Sequence, residues 1–299
     1  MKKLLSILLL VSMLILSLSS CNLLKQDNDG ARKPHYLPGN IVVTEEKNGE
    51  KEAAKNITIS YNSQNLPSRI AAIDAESNVE YTLDLTYDKN GNCVEGVYTY
   101  SDGKTEVTRY TYDEMGKLIK ASYTYNNVDS GELTCIYDDN GNLIREVSTD
   151  SYTDGYSHVW EHTYDDNGNR IKYLYKHSNS DEVIYYHTYS YDDNGNLSEE
   201  IYYSEENGSL IFKYALSYTY DENGRLIKEV QTRDSDTGSE RYAYYTIDYT
   251  YNENGAITKY VFTYYDGDKI IYEYNDYSRV YIASAFSSEE FLKYLREII

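Results

Sequence analysis

Basic residues are scarce in this sequence, and their scarcity excludes one large class of partner. Lysine and arginine together number 28 against 49 aspartates and glutamates, which gives a formal net charge of −21 at pH 7. A chain this acidic is repelled by nucleic-acid phosphates and by anionic lipid headgroups. We therefore expect no nucleic-acid partner, and we interpret the acidic surface as one that keeps the protein soluble.

The sequence also lacks the local motifs that carry catalysis. It contains no Gly-x-Ser-x-Gly phrase, no His-Glu-x-x-His pair and no glycine-rich phosphate loop. Carboxylate pairs such as Asp138-Asp139 are common, but they return at the same place in each copy of a repeat, whereas an active site needs one special place in the chain. We predict a protein that is not an enzyme and that uses no cofactor.

The first residues have the pattern of an export signal. Lys2 and Lys3 precede an apolar run over residues 4–18, which is too short and wrongly flanked for a stable membrane span. The run ends in Leu18-Ser19-Ser20-Cys21, which resembles the lipobox of bacterial lipoproteins. The resemblance implies that Cys21 is diacylated and becomes the first residue of the mature chain. The alternative is an ordinary secretory signal that happens to contain a cysteine.

These features divide the N-terminal part of the chain. We expect residues 1–20 to be a lipoprotein signal peptide and residues 21–40 to be a flexible tether, because this stretch is polar and contains glycine and proline. Two acyl chains anchor a protein stably. The protein is therefore expected to be exported and lipid-anchored to the outer face of a bacterial membrane, with the cell membrane and the outer membrane both open as the location.

One phrase returns along the chain at intervals of 23 to 31 residues. It reads Tyr-Asp-x-Asn-Gly-Asn, as in residues 137–142, and an apolar pair follows it. A fixed phrase at such a period indicates one supersecondary unit that is copied along the chain. The copies begin at Tyr61, Tyr87, Tyr112, Tyr137, Tyr164, Tyr191, Tyr220, Tyr251 and Tyr274.

The phrase predicts a hairpin turn. Large residues alternate with small polar ones before it, which is the period-two pattern of a half-buried strand. Its aspartate and glycine suit a type I turn followed by a left-handed residue, which would place Tyr137 opposite Leu143. The alternative is a type I′ turn at Asn140-Gly141, which would pair Tyr137 with Ile144. The residues predicted to have a structural role in turns are Asp138, Gly141, Asp165, Gly168, Asp192, Gly195, Asp221 and Gly224.

Each repeat also carries a second strand and a second loop at the opposite edge of the sheet. Residues 143–147 are one such strand. The second loops hold the length variation among the repeats, and we place them at segments that include 101–103, 129–131 and 206–208. Variable loops on a regular scaffold are frequent binding sites, and they are equally frequent sites of tolerated insertion.

These repeats predict an all-β fold, a continuous antiparallel meander of hairpins over residues 41–285. Its strands, about eighteen to twenty, exceed the ~10 that an open twisted sheet carries without curling or splitting. One face is rich in tyrosine and must be covered, so we expect a curled sheet or partial barrel with that face inward. A capping box at residues 287–290 predicts a short capping helix over residues 286–299.

The phrase resembles the YD repeat of the Rhs and teneurin proteins. Residues 220–226, Tyr-Asp-Glu-Asn-Gly-Arg-Leu, are the nearest copy, and the resemblance covers about residues 57–280. It implies antiparallel hairpins wound into a long sheet that curls into a shell. Large Rhs shells use far more repeats to enclose a toxin, so encapsulation is not expected here. A small YD-repeat lipoprotein is the better comparison.

The cysteines and histidines give no sign of a cross-link or a metal centre. Cys93 and Cys135 fall about three strands apart in a meander, roughly 14 Å, which is too far for a disulfide, so we predict two free thiols. His158 and His162 lie roughly 13 Å apart along one strand. Only an accident of register would bring His162 near His187 in the next repeat. We predict no bound metal.

The aromatic residues leave two interpretations open. Trp160, Tyr189, Tyr218 and Tyr249 are candidates for a sugar-stacking platform, but they recur with the fold, and we favour the interpretation that they form its core. We expect a non-catalytic envelope lipoprotein with a binding or structural role, partnered by the membrane through its lipid and by a glycan or an envelope protein. The rival is a carbohydrate-binding surface lipoprotein of glycan uptake or adhesion, and a weaker rival is an envelope hydrolase.

Overall fold

The chain forms twenty β-strands in the part that the structure describes. The computed structural model describes residues 35–37, 39–74, 80–150, 157–235, 240–275 and 278–280. In chain order the strands are β1 (His35–Leu37), β2 (Asn40–Lys47), β3 (Glu50–Tyr61), β4 (Pro67–Asp74), β5 (Glu80–Tyr87), β6 (Cys93–Thr99), β7 (Thr105–Tyr112), β8 (Leu118–Tyr125), β9 (Val128–Tyr137), β10 (Leu143–Asp150), β11 (His158–Tyr164), β12 (Arg170–His177), β13 (Val183–Tyr191), β14 (Leu197–Glu206), β15 (Ser209–Tyr220), β16 (Leu226–Asp234), β17 (Arg241–Tyr251), β18 (Ile257–Tyr264), β19 (Lys269–Asn275) and β20 (Ser278–Val280).

Eighteen of these strands make a closed antiparallel barrel. Strands β2 to β19 pair in chain order, and β19 pairs with β2 over seven residues, from Lys269↔Glu46 to Asn275↔Asn40. The predicted all-β meander is therefore confirmed. The sequence left open whether the sheet closes, and the β2–β19 ladder is the contact that closes it.

The two outermost strands stand apart from the barrel. β1 and β20 pair only with each other, and β1 falls within the stretch predicted as a tether. The predicted signal peptide, the lipid site Cys21 and the predicted helix over residues 286–299 lie outside the described residues. In the part of the chain that the structure describes, no helix is long and apolar enough to cross a membrane.

The eight repeated phrases that begin between Tyr61 and Tyr251 each form a tight turn at one end of the barrel. In the copy at residues 137–142, the Asp138 N–H donates to the Asn142 carbonyl at 2.9 Å, and the Gly141 N–H donates to the Asp138 carbonyl at 3.0 Å. Gly141 has φ +91°, and Tyr137 lies opposite Leu143. This is the register of the type I turn followed by a left-handed glycine. The turns that contain Asp165 and Gly168, Asp192 and Gly195, and Asp221 and Gly224 repeat these backbone bonds.

The aspartate side chain stabilises the turn by accepting hydrogen bonds from other residues of the same turn. Asp165 accepts from the backbone N–H groups of Asn167 and Asn169 at 2.9 and 2.8 Å, and its second oxygen accepts from the Asn169 side-chain amide at 3.0 Å. The side-chain and backbone hydrogen bonds from Asn169 lower the pKa of Asp165 below its ordinary value, because they favour the charged carboxylate. The ionised aspartate thus holds the geometry that the glycine permits.

The tyrosine that opens each phrase links its repeat to the one before. In seven copies its hydroxyl donates, at 2.7 to 2.9 Å, to the carbonyl of the residue that begins the second strand of the preceding repeat. That carbonyl lies just beyond the end of the ladder with the next strand, so it has no strand partner, and a buried carbonyl requires one. The bonds are Tyr87–Pro67, Tyr112–Cys93, Tyr137–Leu118, Tyr164–Leu143, Tyr191–Arg170, Tyr220–Leu197 and Tyr251–Leu226.

The second loops lie at the other end of the barrel, and one of them is not where the sequence predicts it. Residues 129–131 belong to β9, and the turn is formed by Asn126 and Asn127, with φ of +49° and +63°. The prediction of a loop at 129–131 was wrong because two consecutive asparagines can adopt the left-handed conformation that a two-residue turn needs. The turn after β14 uses Asn207 and Gly208 in the same way.

A buried core that is mostly aliphatic, with Glu106, Thr108 and Tyr110 on β7 among its polar members, covers the inner face of β2 to β9. We call it the aliphatic core. Ile41, Ile57 and Leu118 have exposures of 1%, 0% and 0%. Cys93 and Cys135 are also buried on this face, and both are free thiols, as predicted. Burial raises the pKa of each thiol to about 12, so neither is a ready nucleophile. This half of the barrel is packed like an ordinary protein interior.

The outer face carries ion pairs between neighbouring strands. Arg109 Nε lies 2.9 Å from Glu95, and Lys120 Nζ lies 2.6 Å from Glu132. Their side chains are about one-third to three-fifths exposed, so each pair contributes little to stability. These pairs make the outer wall polar and hydrated.

Candidate functional site on the inner face of the barrel

The inner face of β12, β13 and β14 differs from the aliphatic core because no residue of these three strands is fully buried. Their inward side chains are mostly tyrosine, histidine and charged groups. Since these groups point into the barrel, their partial exposure means that solvent reaches the interior beside them. We call twelve of the inward side chains of β11 to β15 the aromatic strip: Trp160, His162, Arg170, Tyr173, Tyr175, Tyr185, His187, Tyr189, Glu200, Tyr202, Tyr214 and Tyr218.

A row of cross-strand neighbours runs through the strip. His162 lies opposite Tyr173, Tyr173 opposite His187, and His187 opposite Tyr202. The ring centroid of Tyr173 is 5.1 Å from that of His162 and 5.7 Å from that of His187. The register therefore places both histidines against one tyrosine. Among the described residues, no group of three or more metal-ligating side chains comes together.

His187 is the centre of the strip. Its ring lies among five tyrosine rings with centroid distances of 4.8 to 6.4 Å. Its Nδ1 is 2.6 Å from Oε1 of Glu200. A neutral imidazole in this geometry carries its proton on Nδ1, because the carboxylate can only accept, and Nε2 is left as an acceptor. The five tyrosines are Tyr173, Tyr185, Tyr189, Tyr202 and Tyr214.

Three polar atoms of the strip face the interior without a protein partner. No described residue hydrogen-bonds to Nε2 of His187 or to the hydroxyls of Tyr202 and Tyr214, and none of the three atoms is sealed from solvent. The rings of Tyr202 and Tyr214 stack at 4.9 Å with an interplanar angle of 29°. Burial and the charge of Glu200 raise the pKa of Tyr214, so its phenol stays neutral. The three atoms can therefore exchange hydrogen bonds with a neutral ligand.

A second histidine–carboxylate pair is less exposed to solvent than His187 and Glu200. His162 Nε2 is 2.8 Å from Glu146 Oε1, and their side chains are only 2% and 9% exposed. The other ring nitrogen of His162, Nδ1, is buried and has no partner among the described residues. A buried polar atom without a partner is uncommon and destabilising. This pair is inward like the rest of the strip, but it is buried by its neighbours and not open to solvent.

Arg170 supplies the positive charge of the strip. Its guanidinium lies over the Tyr189 ring at 4.7 Å, and it donates to the Tyr189 hydroxyl at 3.3 Å. Burial lowers the pKa of Arg170, but the neighbouring phenols and Glu200 raise it by more, so the group stays charged. Arginine stacked on tyrosine in a partly dry site is a favourable arrangement.

The predicted ligand residues fall at two depths. Trp160 is only 6% exposed and belongs to the core, and its indole N–H donates to the Tyr185 hydroxyl at 3.3 Å. Tyr218 donates to Glu200 at 3.3 Å. Tyr249, on β17, lies outside the strip and donates to Glu229 at 3.4 Å. The structure thus brings Trp160, Tyr189 and Tyr218 into one strip and leaves Tyr249 apart.

The sequence reasoning missed His187 and the inward carboxylates. Glu146, Glu200 and Glu229 each lie nine positions after the tyrosine that opens a phrase. The equivalent inward position is Gly96 or Ala121 in the aliphatic half. A charged residue in the middle of these strands was visible in the sequence, but nothing local showed that it points inward. An alignment of the repeats on the phrase tyrosine would have shown that these carboxylates share one position, nine residues later.

Comparison with known proteins gives likenesses of limited extent. No protein-family model matches the sequence, and no curated protein is significantly similar to it. The barrel is similar to part of the Photorhabdus luminescens Tc holotoxin pore, with 16% identity, a TM-score of 0.35, and coverage of 76% of this chain and 12% of that chain. This chain therefore spans only a small part of the toxin chain.

Two smaller bacterial proteins are also similar to this chain. A porin-like protein from Bacteroides uniformis has 11% identity and a TM-score of 0.40, with 81% of this chain and 98% of that chain covered. A DUF3836 family protein from Parabacteroides distasonis has 21% identity and a TM-score of 0.26, with 36% and 95% covered. Membership of the YD-repeat family stays a prediction from the repeated phrase.

Proposed function

We propose that this protein is a non-catalytic binding protein of the bacterial cell envelope, tethered through a lipid on Cys21, and that the aromatic strip is its ligand surface. One observation carries the proposal: β12, β13 and β14 turn a polar aromatic surface inward without burying it. A barrel with only a structural role would gain stability by filling this side with aliphatic residues, as it does along β2 to β9.

The outer wall supports a barrel that stands in water beside its membrane. Barrels that span a bilayer carry an outward apolar band, and outward charges at mid-height destabilise them. Here outward positions in the middle of strands carry charged pairs such as Arg109–Glu95. A lipid on Cys21 would then supply the membrane attachment that the wall does not.

A second candidate is narrower, a carbohydrate-binding lipoprotein of glycan uptake or adhesion. The partly exposed stacked rings of Tyr202 and Tyr214 favour it, because aromatic faces offer apolar area next to hydroxyls that can bond. The weaker alternative, an envelope hydrolase, has less support. Its acid–base groups would be Glu146 and Glu200, and each of them is held by a histidine.

Binding can be tested by thermal unfolding of the mature protein in the presence of defined probes. Suitable probes are peptidoglycan fragments, neutral polysaccharides and peptides of envelope proteins. A ligand that binds only the folded state raises the melting temperature, and the rise grows with the logarithm of the ligand concentration above Kd. We expect at least one probe to do so in the unaltered protein and in Tyr203→Ala, but not in Tyr202→Ala. Adjacent Tyr203 faces outward, so it is the matched control.

Two results would count against the proposal. If no probe raises the melting temperature, or if the Tyr202→Ala protein responds as the unaltered protein does, the strip is not a ligand surface. If the purified protein releases products from any probe over time, the non-catalytic part of the proposal fails.

The lipid anchor has its own test, which is fractionation of cells that express Cys21→Ala. The unaltered protein is expected in the membrane fraction and the Cys21→Ala protein in the soluble fraction or the medium, because the thioether that carries the lipid cannot form. Equal membrane retention of both proteins would show that the lipid on Cys21 is not what holds the protein there.

A further inference from the structure

We propose that the aromatic strip binds an uncharged sugar ring, packed against the inward edges of the Tyr202 and Tyr214 rings, with one of its hydroxyls donating to Nε2 of His187. The inference rests on the proposed binding function and names its ligand class. It also assigns three positions that the sequence did not single out.

The polar atoms that face the interior set the first requirement on the ligand. They are one imidazole nitrogen and two phenol hydroxyls, none of which has a protein partner among the described residues. In the neutral imidazole Nε2 is an acceptor, because the proton lies on Nδ1, which faces Glu200. The phenols of Tyr202 and Tyr214 can both donate and accept. A ligand that fits this set must bring at least one donor and several groups of mixed character, which is the chemistry of a polyol.

The charged groups of the strip are already engaged, which sets the second requirement. Glu200 accepts from His187 through one oxygen and from Tyr218 through the other. Arg170 is stacked on Tyr189 and bonded to it. Glu200 is close enough to Arg170 to raise its pKa, so the two charges offset each other, and an ionic ligand would bring a charge that the strip does not balance. An anion would also meet a protein of net charge −21. An uncharged ligand meets neither obstacle.

The rings set the third requirement. Tyr202 and Tyr214 stack on each other and flank His187, at centroid distances of 4.8 and 6.4 Å from its ring. Because the two stacked rings cover each other's facing sides, they offer the interior their apolar ring edges and their hydroxyls, beside Nε2 of His187. A pyranose has an apolar C–H face and hydroxyls around its rim, so it can cover the rings and reach Nε2 at the same time.

The proposal can be tested by proton NMR of the histidine C2–H signals of the mature protein in detergent micelles. The chain has only five histidines, and His187→Gln identifies the signal of His187 by its loss. The probes are matched in length and differ in charge: the neutral hexasaccharides of glucose, xylose and mannose, an anionic hexagalacturonate and a cationic chitosan hexamer.

We expect at least one neutral hexasaccharide to shift the His187 signal saturably, while the two charged probes leave it unchanged. Tyr202→Phe, read from the His187 signal, and His187→Gln, read from the thermal shift with the same hexasaccharide, should each weaken that binding about tenfold, because each removes one hydrogen bond to the ligand. Tyr203→Phe should bind as the unaltered protein does. The melting temperatures of the variants, measured alongside, separate lost binding from lost folding.

Three outcomes would overturn the assignment. The first is a saturable shift with a charged probe alone, which keeps the binding function and rejects the neutral ligand. The second is binding of a neutral probe that leaves the His187 signal in place and is unaffected by Tyr202→Phe, which moves the site elsewhere. The third is no shift with any probe, which rejects the sugar. The thermal screen, with its peptides and peptidoglycan fragments, then shows whether the binding function survives.

Discussion

Two arcs of the same barrel are built from the same repeat and have opposite interiors. The aliphatic arc, β2 to β9, turns inward side chains such as Ile57 and Leu118, which are fully buried. The arc from β11 to β15 turns the aromatic strip inward, and its three central strands bury no residue completely. The tyrosine, aspartate and glycine of the phrase are common to both arcs, so they cannot be the cause of the difference.

The difference lies in inward positions whose residue type changes from one repeat to the next. Nine residues after each phrase tyrosine, the aliphatic arc has Gly96 and Ala121, whereas the later repeats have Glu146, Tyr173 and Glu200. The turn and the hydrogen bond from tyrosine to carbonyl stabilise the strand pairs. The residues at the variable inward positions decide whether the interior is a packed core or a surface open to solvent. One scaffold can therefore carry stability on one side and binding on the other.

The largest expected effect comes from breaking the aliphatic arc. Leu118→Ala should lower the free energy of unfolding by about 3 kcal/mol, because it removes a fully buried side chain and leaves a cavity. Tyr202→Ala, in the strip, should lower it by less than about half as much, since the ring is only partly buried. Urea unfolding of the two variants measures both values. Equal losses would mean that the two arcs do not differ in packing.

The next effect concerns the buried pair of His162 and Glu146. His162→Ala should lower the free energy of unfolding by about 2 kcal/mol, because it leaves the Glu146 carboxylate buried without its histidine. The double variant Glu146→Leu with His162→Ala should recover part of that loss, because no buried charge is left. If the double variant is less stable than His162→Ala, burial of the charge is not the cause.

The link between repeats should have a smaller effect, and it belongs to both arcs. Tyr164→Phe removes the hydroxyl that donates to the Leu143 carbonyl and should lower the free energy of unfolding by about 1 kcal/mol. Tyr112→Phe, which removes the equivalent bond to Cys93, should have the same effect in the aliphatic arc. Tyr203→Phe, on the outer face, is the control and should be neutral. A large difference between Tyr164→Phe and Tyr112→Phe would show that the link is not a common device.

The smallest effect is the acid sensitivity of the turns. Hydrogen bonds from Asn196 lower the pKa of Asp192 in the folded protein, so its contribution to stability is complete above the unfolded pKa of about 3.9 and is lost as the pH falls through the folded value. Asp192→Asn should therefore reduce the loss of stability between pH 5 and pH 2, roughly the window of such a group. Asn252 already accepts the same backbone bonds in the last turn, so the substitution keeps the geometry.

Urea unfolding at several pH values checks this prediction. Asp193→Asn is the matched control, because the neighbouring carboxylate makes no hydrogen bond within the turn. If Asp192→Asn and Asp193→Asn change the acid sensitivity equally, the turn bonds are not its source.

Much of the fold was predictable because it is local. The alternation before each phrase fixed the strands, and the aspartate and glycine fixed the register of each turn, as Tyr137 opposite Leu143 shows. The loop placed at residues 129–131 was wrong because Asn126 and Asn127 compete for the same turn. The site was harder to predict, since His162 and His187 meet only through a third residue, Tyr173, on the strand between them.

The sequence by itself determined the repeat, the hairpins, the order of the strands and the inward direction of the tyrosines, because each of these depends on residues a few positions apart. Only the tertiary structure decided that β19 pairs with β2 and that the half-open strip forms around His187. Closure depends on residues more than two hundred positions apart. The strip depends on how three hairpins stagger against one another, and no local pattern encodes that register.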